Sequence, residues 1–363
     1  MKAFSGFNFE ELTSTDALGE LRPDWLELWR CSEKSTPFQS PDWLIPWWKH
    51  IGEGKLRTLV LRRNARVVGI VPLYVHVRPQ TSLRELFPVG IATTDYLDAI
   101  FDGRFASAGA AALFNYLEEI QTDWDICDLQ QLPPQSPLLK APIPEHWRDE
   151  ISVHGPCPVL SLPSSAAELS TVVSSRLLKE LRYASRRLQK LGNVTFEAAM
   201  ASTLEEFLEA LLRLHHARWA VRGEPGVLTE NGVRMAHYET AARFLDADLL
   251  RLYALRLNQK IIAVYYGFMH CDANQRRAYF YLSGFDPEFA RLSPAGLIVE
   301  HAIRAAINER AAEFDFLRGS EPYKYRWGAR DRSTYRRRLW RSASCVDGAV
   351  GDKKAFVETS DDR

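Results

Sequence analysis

Residues 56–74 read LRTLVLRRNARVVGIVPLY, and residues 250–268 read LRLYALRLNQKIIAVYYGF. Laid together at a fixed offset, Leu56 meets Leu250, Arg57 meets Arg251, Leu61-Arg62 meets Leu255-Arg256, Asn64 meets Asn258, Arg66 meets Lys260, and Val67-Val68 meets Ile261-Ile262. Each stretch is a strand-forming run, a short polar turn holding Asn, and a second run, which is the pattern of a β-hairpin. The surroundings correspond too. A helical stretch precedes each hairpin, roughly 41–51 with Trp43, Leu44, Trp47 and Trp48, and roughly 231–247 with Met235, Tyr238, Ala242 and Phe244. Further strand signals follow, then an Ala-rich helix (about 105–121 and about 294–311), then a short strand holding Asp (WDICDLQQL at 124–132, EFDFL at 313–317). Helix, antiparallel hairpin, further strand, helix and strand make an α+β layer unit, and the chain carries it twice.

The 363 residues exceed one ordinary core, so two domains are the expectation. The pattern places a first lobe at 1–150, a linker with a basic helix at 151–192, a second lobe at 193–341 and a polar, mobile tail at 342–363. The linker assignment rests on eight prolines in 133–165, followed by STVVSSRLLKELRYASRRLQKLG at 170–192, where Leu177, Leu181, Ala184, Leu188 and Leu191 recur at helical steps and Gly192 closes the helix. An apolar content of 46% with 25% charged residues is the balance of a soluble globular protein. Zero net charge supplies no global field for nucleic acid or an anionic surface. Five scattered cysteines at 31, 127, 157, 271 and 345 include no C-x-x-C spacing, so neither a zinc site nor a redox motif is indicated. The start, MKAFSGFNFEELTSTDALGE, lacks the apolar core of a signal peptide. No run approaches the ~18–20 apolar residues of a membrane span. The expected location is the cytoplasm, with a peripheral position at the inner membrane also open.

Residues 313–329, EFDFLRGSEPYKYRWGA, carry far more charge and aromatic surface than a turn requires. Together with TPFQSPDWLIPWW (36–48), DYLD (95–98), SSRLLKELRYASRRLQKLGNVTFE (174–197), LHHARW (214–219), RGEPGVL (222–228) and YLSGFDPEFARLSPAGLIVEHAI (281–303), they carry a resemblance. The chain resembles the GNAT-fold proteins of the CelD-like cellulose-biosynthesis acetyltransferase group, related to the FemAB and FemX peptidoglycan aminoacyltransferases. That resemblance implies tandem GNAT-like lobes, each a mixed, mostly antiparallel sheet flanked by helices. It departs from the group at Ser293-Pro294-Ala295-Gly296, where members often read S-P-G.

The resemblance implies acyl transfer from acetyl-CoA or another acyl-CoA, with no metal, to an amine or hydroxyl of a cell-envelope or exopolysaccharide precursor. The acceptor is a small molecule or a lipid-linked glycan, with exopolysaccharide synthase machinery as a partner. Free amides at a helix N-terminus form an anion site, so Arg291, Ser293, Ala295, Gly296 and Leu297 are the expected cradle for the donor's phosphates. Lys324 is expected to bind phosphate or the developing oxyanion, Tyr323 to return a proton to the thiolate, and Glu321 to act as base, beside Arg318. A structural Arg–Glu–Lys network around the turn is the competing reading. Asp95, Tyr96, Phe38, Gln39, Arg218, Trp219 and His215 are the candidate acceptor contacts. The first lobe has Asp128-Leu129-Gln130-Gln131-Leu132 where the second has its charged set, which makes it the non-catalytic half. Two alternatives stand beside this reading. One is a FemAB-type transferase using aminoacyl-tRNA, although zero net charge disfavours nucleic acid. The other is a non-catalytic GNAT-like protein that binds a glycan or a synthase.

Overall fold

The computed structural model describes residues 2–4, 6–220, 228–272 and 275–341. By compactness the chain divides into Met1–Gly155 with the segment from Ser333, and Pro156–Arg332.

The first unit contains β1 (Lys2–Phe4), β2 (Phe7–Leu12), α1 (Thr15–Cys31), α2 (Pro41–His50), β3 (Lys55–Arg63), β4 (Arg66–Val77), β5 (Arg84–Pro88), β6 (Ile100–Phe101), α3 (Ala106–Glu119), β7 (Ile126–Leu132), α4 (Pro137–Lys140) and the start of β8 (Trp147–Ser161). Its strands pair in the order β1-β2-β3-β4-β5-β7, with β6 on β4. The expected hairpin is present, joined at Asn64-Ala65, where both residues take positive φ (49° and 66°). Such a turn matches the twist of the flanking strands. Helix α3 covers the sheet face of Leu59, Leu61, Leu73 and Cys127. On alternate positions Val60, Ile70 and Tyr74 are buried as well, and Trp47 and Trp48 of α2 lie against Tyr74 at 5.9 and 5.6 Å. Both faces are therefore covered, which is why these strands read as continuous apolar runs.

The second unit holds the end of β8, then α5 (Ser175–Gln189), β9 (Val194–Ala198), α6 (Leu204–Ala220), α7 (Asn231–Asp246), β10 (Leu250–Leu257), β11 (Lys260–Cys271), β12 (Arg276–Phe285), α8 (Pro294–Asn308), β13 (Glu313–Asp315), α9 (Pro322–Arg326) and the start of β14 (Arg330–Arg341). Its strand order is β8-β13-β12-β11-β10-β9. Helices α5 and α8 cover the face of Tyr253, Leu255, Tyr265, Phe280 and Phe314. On the other face α7 lies across the sheet, with Phe244 against Phe268 at 5.1 Å and His237 against Tyr266 at 5.7 Å.

The repeat extends to the irregularities. The β3–β4 register shifts between Leu61 and Arg62. The β10–β11 register shifts between Leu255 and Arg256, the matching pair. In each unit a strand ahead of the Ala-rich helix also runs parallel to the strand after it: β5 with β7, and β12 with β13. This is a tandem GNAT-like α+β fold.

Two expectations change. The Pro-rich stretch is not free linker, because residues 147–161 form β8. Proline lacks a donor, but the carbonyls of Pro156 and Pro158 accept from Gly319 N (3.0 Å) and Phe316 N (2.9 Å). The second lobe also does not run to 341. From Ser333 the chain belongs with the first unit, where Leu339 faces Cys127 and Trp340 faces Ile126 across β7. The consecutive arginines 336–338 of β14 hold three different partners there: Arg336 pairs with Asp128, Arg337 with Asp149 and Arg338 with Glu150. The tail at 342–363 lies outside the described residues.

Candidate functional site

In the second unit β12 and β13 stay in register for three pairs, Arg277–Glu313 to Tyr279–Asp315. Then they part. Strand β12 continues to Phe285 along β11, while the other chain swings to β8 through Phe316 N and Gly319 N. A narrow wedge opens where they separate, lined by Phe280, Ser283, Phe316, Arg318, Tyr323 and Lys324 among others. The turn that makes it is unusual. Asp315 Oδ1 accepts from Leu317 N at 2.8 Å, and Leu317 is pushed to φ 58°. Gly319 sits at φ 106°, and a Cβ there would stand 2.5 Å from Glu321 Oε2, so only glycine fits.

Lys324 holds this turn from behind. It is 1% exposed, and its Nζ donates to three successive carbonyls, Leu317 O (3.1 Å), Arg318 O (2.6 Å) and Gly319 O (3.2 Å). Glu321 Oε2 stands 2.8 Å away. An ammonium has three donors, and here all three are engaged, so Lys324 has none left for a phosphate or an oxyanion. The expectation for Lys324 is corrected: its chemistry is to fix the turn. Glu321 is buried beside it, and its carboxylate oxygens accept no hydrogen bond among the described residues. Its role is to compensate the buried ammonium; it does not line the wedge. Tyr323 and Arg318 do line it. The Tyr323 ring stands edge-on to Phe280 and Phe316 at 6.4 and 6.3 Å.

The expected phosphate cradle starts α8. Ser293 takes φ 51° and gives no side-chain cap, and Arg291 is exposed. Leu297 N donates to Ser293 O at 3.0 Å, so the amides of Ala295 and Gly296 are those left without an intrahelical partner. Gly296 has a packing reason as well: a Cβ on it would lie 2.8 Å from Leu181 Cδ2 of α5. The glycine displaced in the sequence is placed where α5 crosses.

His215 is buried within α6. The side chains of Arg218 and Trp219 lie outside the described residues, as do residues 222–227. Gln39, Asp95 and Tyr96 are core residues of the first unit; Gln39 Oε1 accepts from Thr36 N at 2.9 Å and so closes a short helical turn. Phe38 does line a small cavity there, together with Leu44, Leu73, Val89, Leu129 and Asp98. Asp98 is the residue that sequence reasoning missed. Its Oδ1 accepts from Ser136 Oγ (2.8 Å) and Ala99 N (2.9 Å), and burial pushes its carboxyl up to about 7. The only signal was the second Asp of DYLD. Among the described residues no cluster of His, Cys, Asp and Glu is arranged to hold a metal.

Residues 175–325, nearly all of the second unit, match the acetyltransferase (GNAT) domain family. No curated protein matches the sequence. Among solved structures, FemX superposes with a TM-score of 0.61 at 10% identity, over 91% of this chain and 96% of that one. A conserved protein of unknown function from Bacteroides thetaiotaomicron VPI-5482 gives 0.58 at 12% identity, over 92% and 100%. The C-terminal domain of a putative lysylphosphatidylglycerol synthetase from Agrobacterium fabrum gives 0.56 at 12% identity, over 93% and 94%. At such identities the likeness is one of fold, and it spans both units.

Proposed function

We propose that this protein is an acyltransferase of the CelD-like group that moves an acyl group, acetyl in the first instance, from acyl-CoA to an amine or hydroxyl of a cell-envelope or exopolysaccharide precursor in the cytoplasm. The observation that carries this is the polar wedge between β12 and β13, inside the segment that matches the GNAT domain. A thioester needs an oriented acceptor, a donor to its carbonyl oxygen and a proton for the departing sulfur. Tyr323 and Arg318 stand on the wedge wall, with the turn beneath them fixed by Lys324. In this reading the acceptor nitrogen or oxygen bonds to the acyl carbon as the C–S bond breaks. The Tyr323 phenol protonates the thiolate and takes back the acceptor's proton. The amides of Ala295 and Gly296, with Arg291 nearby in the chain, face the donor's pyrophosphate.

The test is calorimetry with CoA, acetyl-CoA and aminoacyl-tRNA. Micromolar binding of CoA, weakened at least tenfold by Arg291→Glu, supports the proposal. Binding of aminoacyl-tRNA without CoA turns it to aminoacyl transfer, and binding of neither makes the chain a non-catalytic glycan- or synthase-binding protein.

A further inference from the structure

Along the solvent side of α5 the chain places Arg176, Lys179, Arg182, Arg186 and Arg187, with Lys190 at the C-cap, all of them exposed. The single carboxylate of the helix, Glu180, is already held by Arg176 (3.1 Å) and Arg326 (2.5 Å). Among the described residues no carboxylate pairs with Lys179, Arg182, Arg186, Arg187 or Lys190. Several arginines elsewhere are paired. Arg57 is paired with Glu11 and Asp123, Arg251 with Glu309, and Arg256 with Glu197 and Glu206. The net charge is zero, so the cations of α5 make a local field that the total conceals.

The arrangement is a line. Lys179, Tyr183, Arg186 and Lys190 follow at steps of four, three and four, one stripe ~16 Å long. It lies opposite Leu177, Leu181, Ala184 and Leu188, which are buried. A single phosphate needs donors that converge on a point, whereas charges strung along a convex helix suit an extended anionic surface. Within the stripe Tyr183 is 65% exposed, and Leu191 just beyond it is 57% exposed. The Arg187 guanidinium stands 5.8 Å from the Tyr183 ring. An aromatic ring and an aliphatic chain among exposed cations are what the headgroup layer of a bilayer accepts. A polynucleotide offers the leucine nothing.

We propose that the exposed face of α5 docks this protein on a bilayer rich in anionic phospholipid, with headgroup phosphates against Lys179, Arg182, Arg186 and Lys190 and with Tyr183 and Leu191 at headgroup depth. The inference rests on charge and exposure alone and is independent of the acyl-transfer reading.

The test is flotation of the full chain with vesicles of phosphatidylcholine, and of phosphatidylcholine mixed with phosphatidylglycerol. The protein floats with the mixed vesicles only and is released by high salt. The variant K179A/R186A/K190A loses about a hundredfold in partitioning, ~3 kcal/mol. The variant R30A/K34A/R148A, which removes three exposed cations of the first unit, floats as the parent does. Circular dichroism and the melting temperature report that each variant is folded. Equal flotation with both vesicles overturns the proposal, as does mixed-vesicle binding that the α5 variant leaves unchanged. Retention of RNA at physiological salt without vesicle binding also overturns it and gives the face to a polynucleotide.

Discussion

In the first unit β5 and β7 run parallel through Glu85–Ile126 and Leu86–Cys127 and then part around a cavity of apolar side chains and one carboxyl group, Asp98. In the second, β12 and β13 run parallel through three pairs and part around Ser283, Arg318 and Tyr323. The hairpins beside them carry register shifts at matching residues. The backbone device is thus the same twice, and only its lining differs. A splayed parallel pair makes an opening through geometry alone, because the strands stop sharing hydrogen bonds. What the opening does is decided by the side chains of the turn that follows. In the second unit that turn is fixed by a buried lysine; in the first, where Gln131 likewise takes positive φ (56°), the matching place is occupied by Leu129 and Leu132, packed into the core.

Breaking the fixed turn has the largest expected effect. Lys324→Met leaves Glu321 buried without its counter-charge and the carbonyls of residues 317–319 without their donor. A stability loss of about 3–5 kcal/mol is expected by denaturant melts, and K324M/E321Q recovers much of it. If K324M melts like the parent, the clamp is not what separates the two clefts.

Tyr323→Phe tests the chemistry without the fold. Turnover falls about 10²–10³-fold while the melting temperature holds, because the ring still packs on Phe280 and Phe316. Unchanged turnover removes the phenol from the reaction.

Asp98→Asn examines the other cleft. The folded-state pKa of Asp98, about 7, lies above the ordinary carboxyl value, so between about pH 4 and 7 the native state holds a proton that the unfolded state has released. Stability from this group therefore falls as pH rises through that window. Asparagine keeps an oxygen for Ser136 and Ala99, so D98N is more stable than the parent at pH 8 and its melting temperature depends less on pH. Identical profiles leave the Asp98 carboxyl in water.

The smallest effect belongs to the hairpin turns. Ala65 adopts φ 66° with no side-chain hydrogen bond to support it, whereas Asn258, also at positive φ, accepts through Oδ1 from Asn193 N at 3.0 Å. Ala65→Gly relieves the left-handed strain and stabilises the protein by about 1 kcal/mol. A loss of stability instead means that the Ala65 methyl contributes packing which outweighs the strain.

The sequence makes the repeat legible because hairpins, Ala-rich helices and Asp-bearing strands are local patterns. It conceals what depends on distant partners. Strand β8 contains Pro156 and Pro158, and no rule of local propensity says that their carbonyls will be needed by residues 316 and 319. The consecutive arginines 336–338 do not name their partners, and only the partner strands show Arg336 and Arg337 each in a bidentate pair with an aspartate. Lys324 was legible as important from the density of EPYKYRW, but its three bonds to carbonyls were not, since backbone acceptors leave no trace in residue type. Asp98 was overlooked in favour of Asp95 because burial, which raises the one and hides the other, is a property of the assembled core.

Strand β14 has a bearing on how the protein is made. Thr334 meets Gln131 across 203 residues of chain, so β7 emerges from the ribosome long before its neighbour exists, by ~10–40 s at ordinary elongation rates. Through that interval one side of the nascent first half presents unpaired backbone amides and carbonyls, an invitation to other extended chains. Synthesis that stalls or terminates before residue 333 leaves that edge open permanently, so truncated products of this chain are the ones to look for in aggregates.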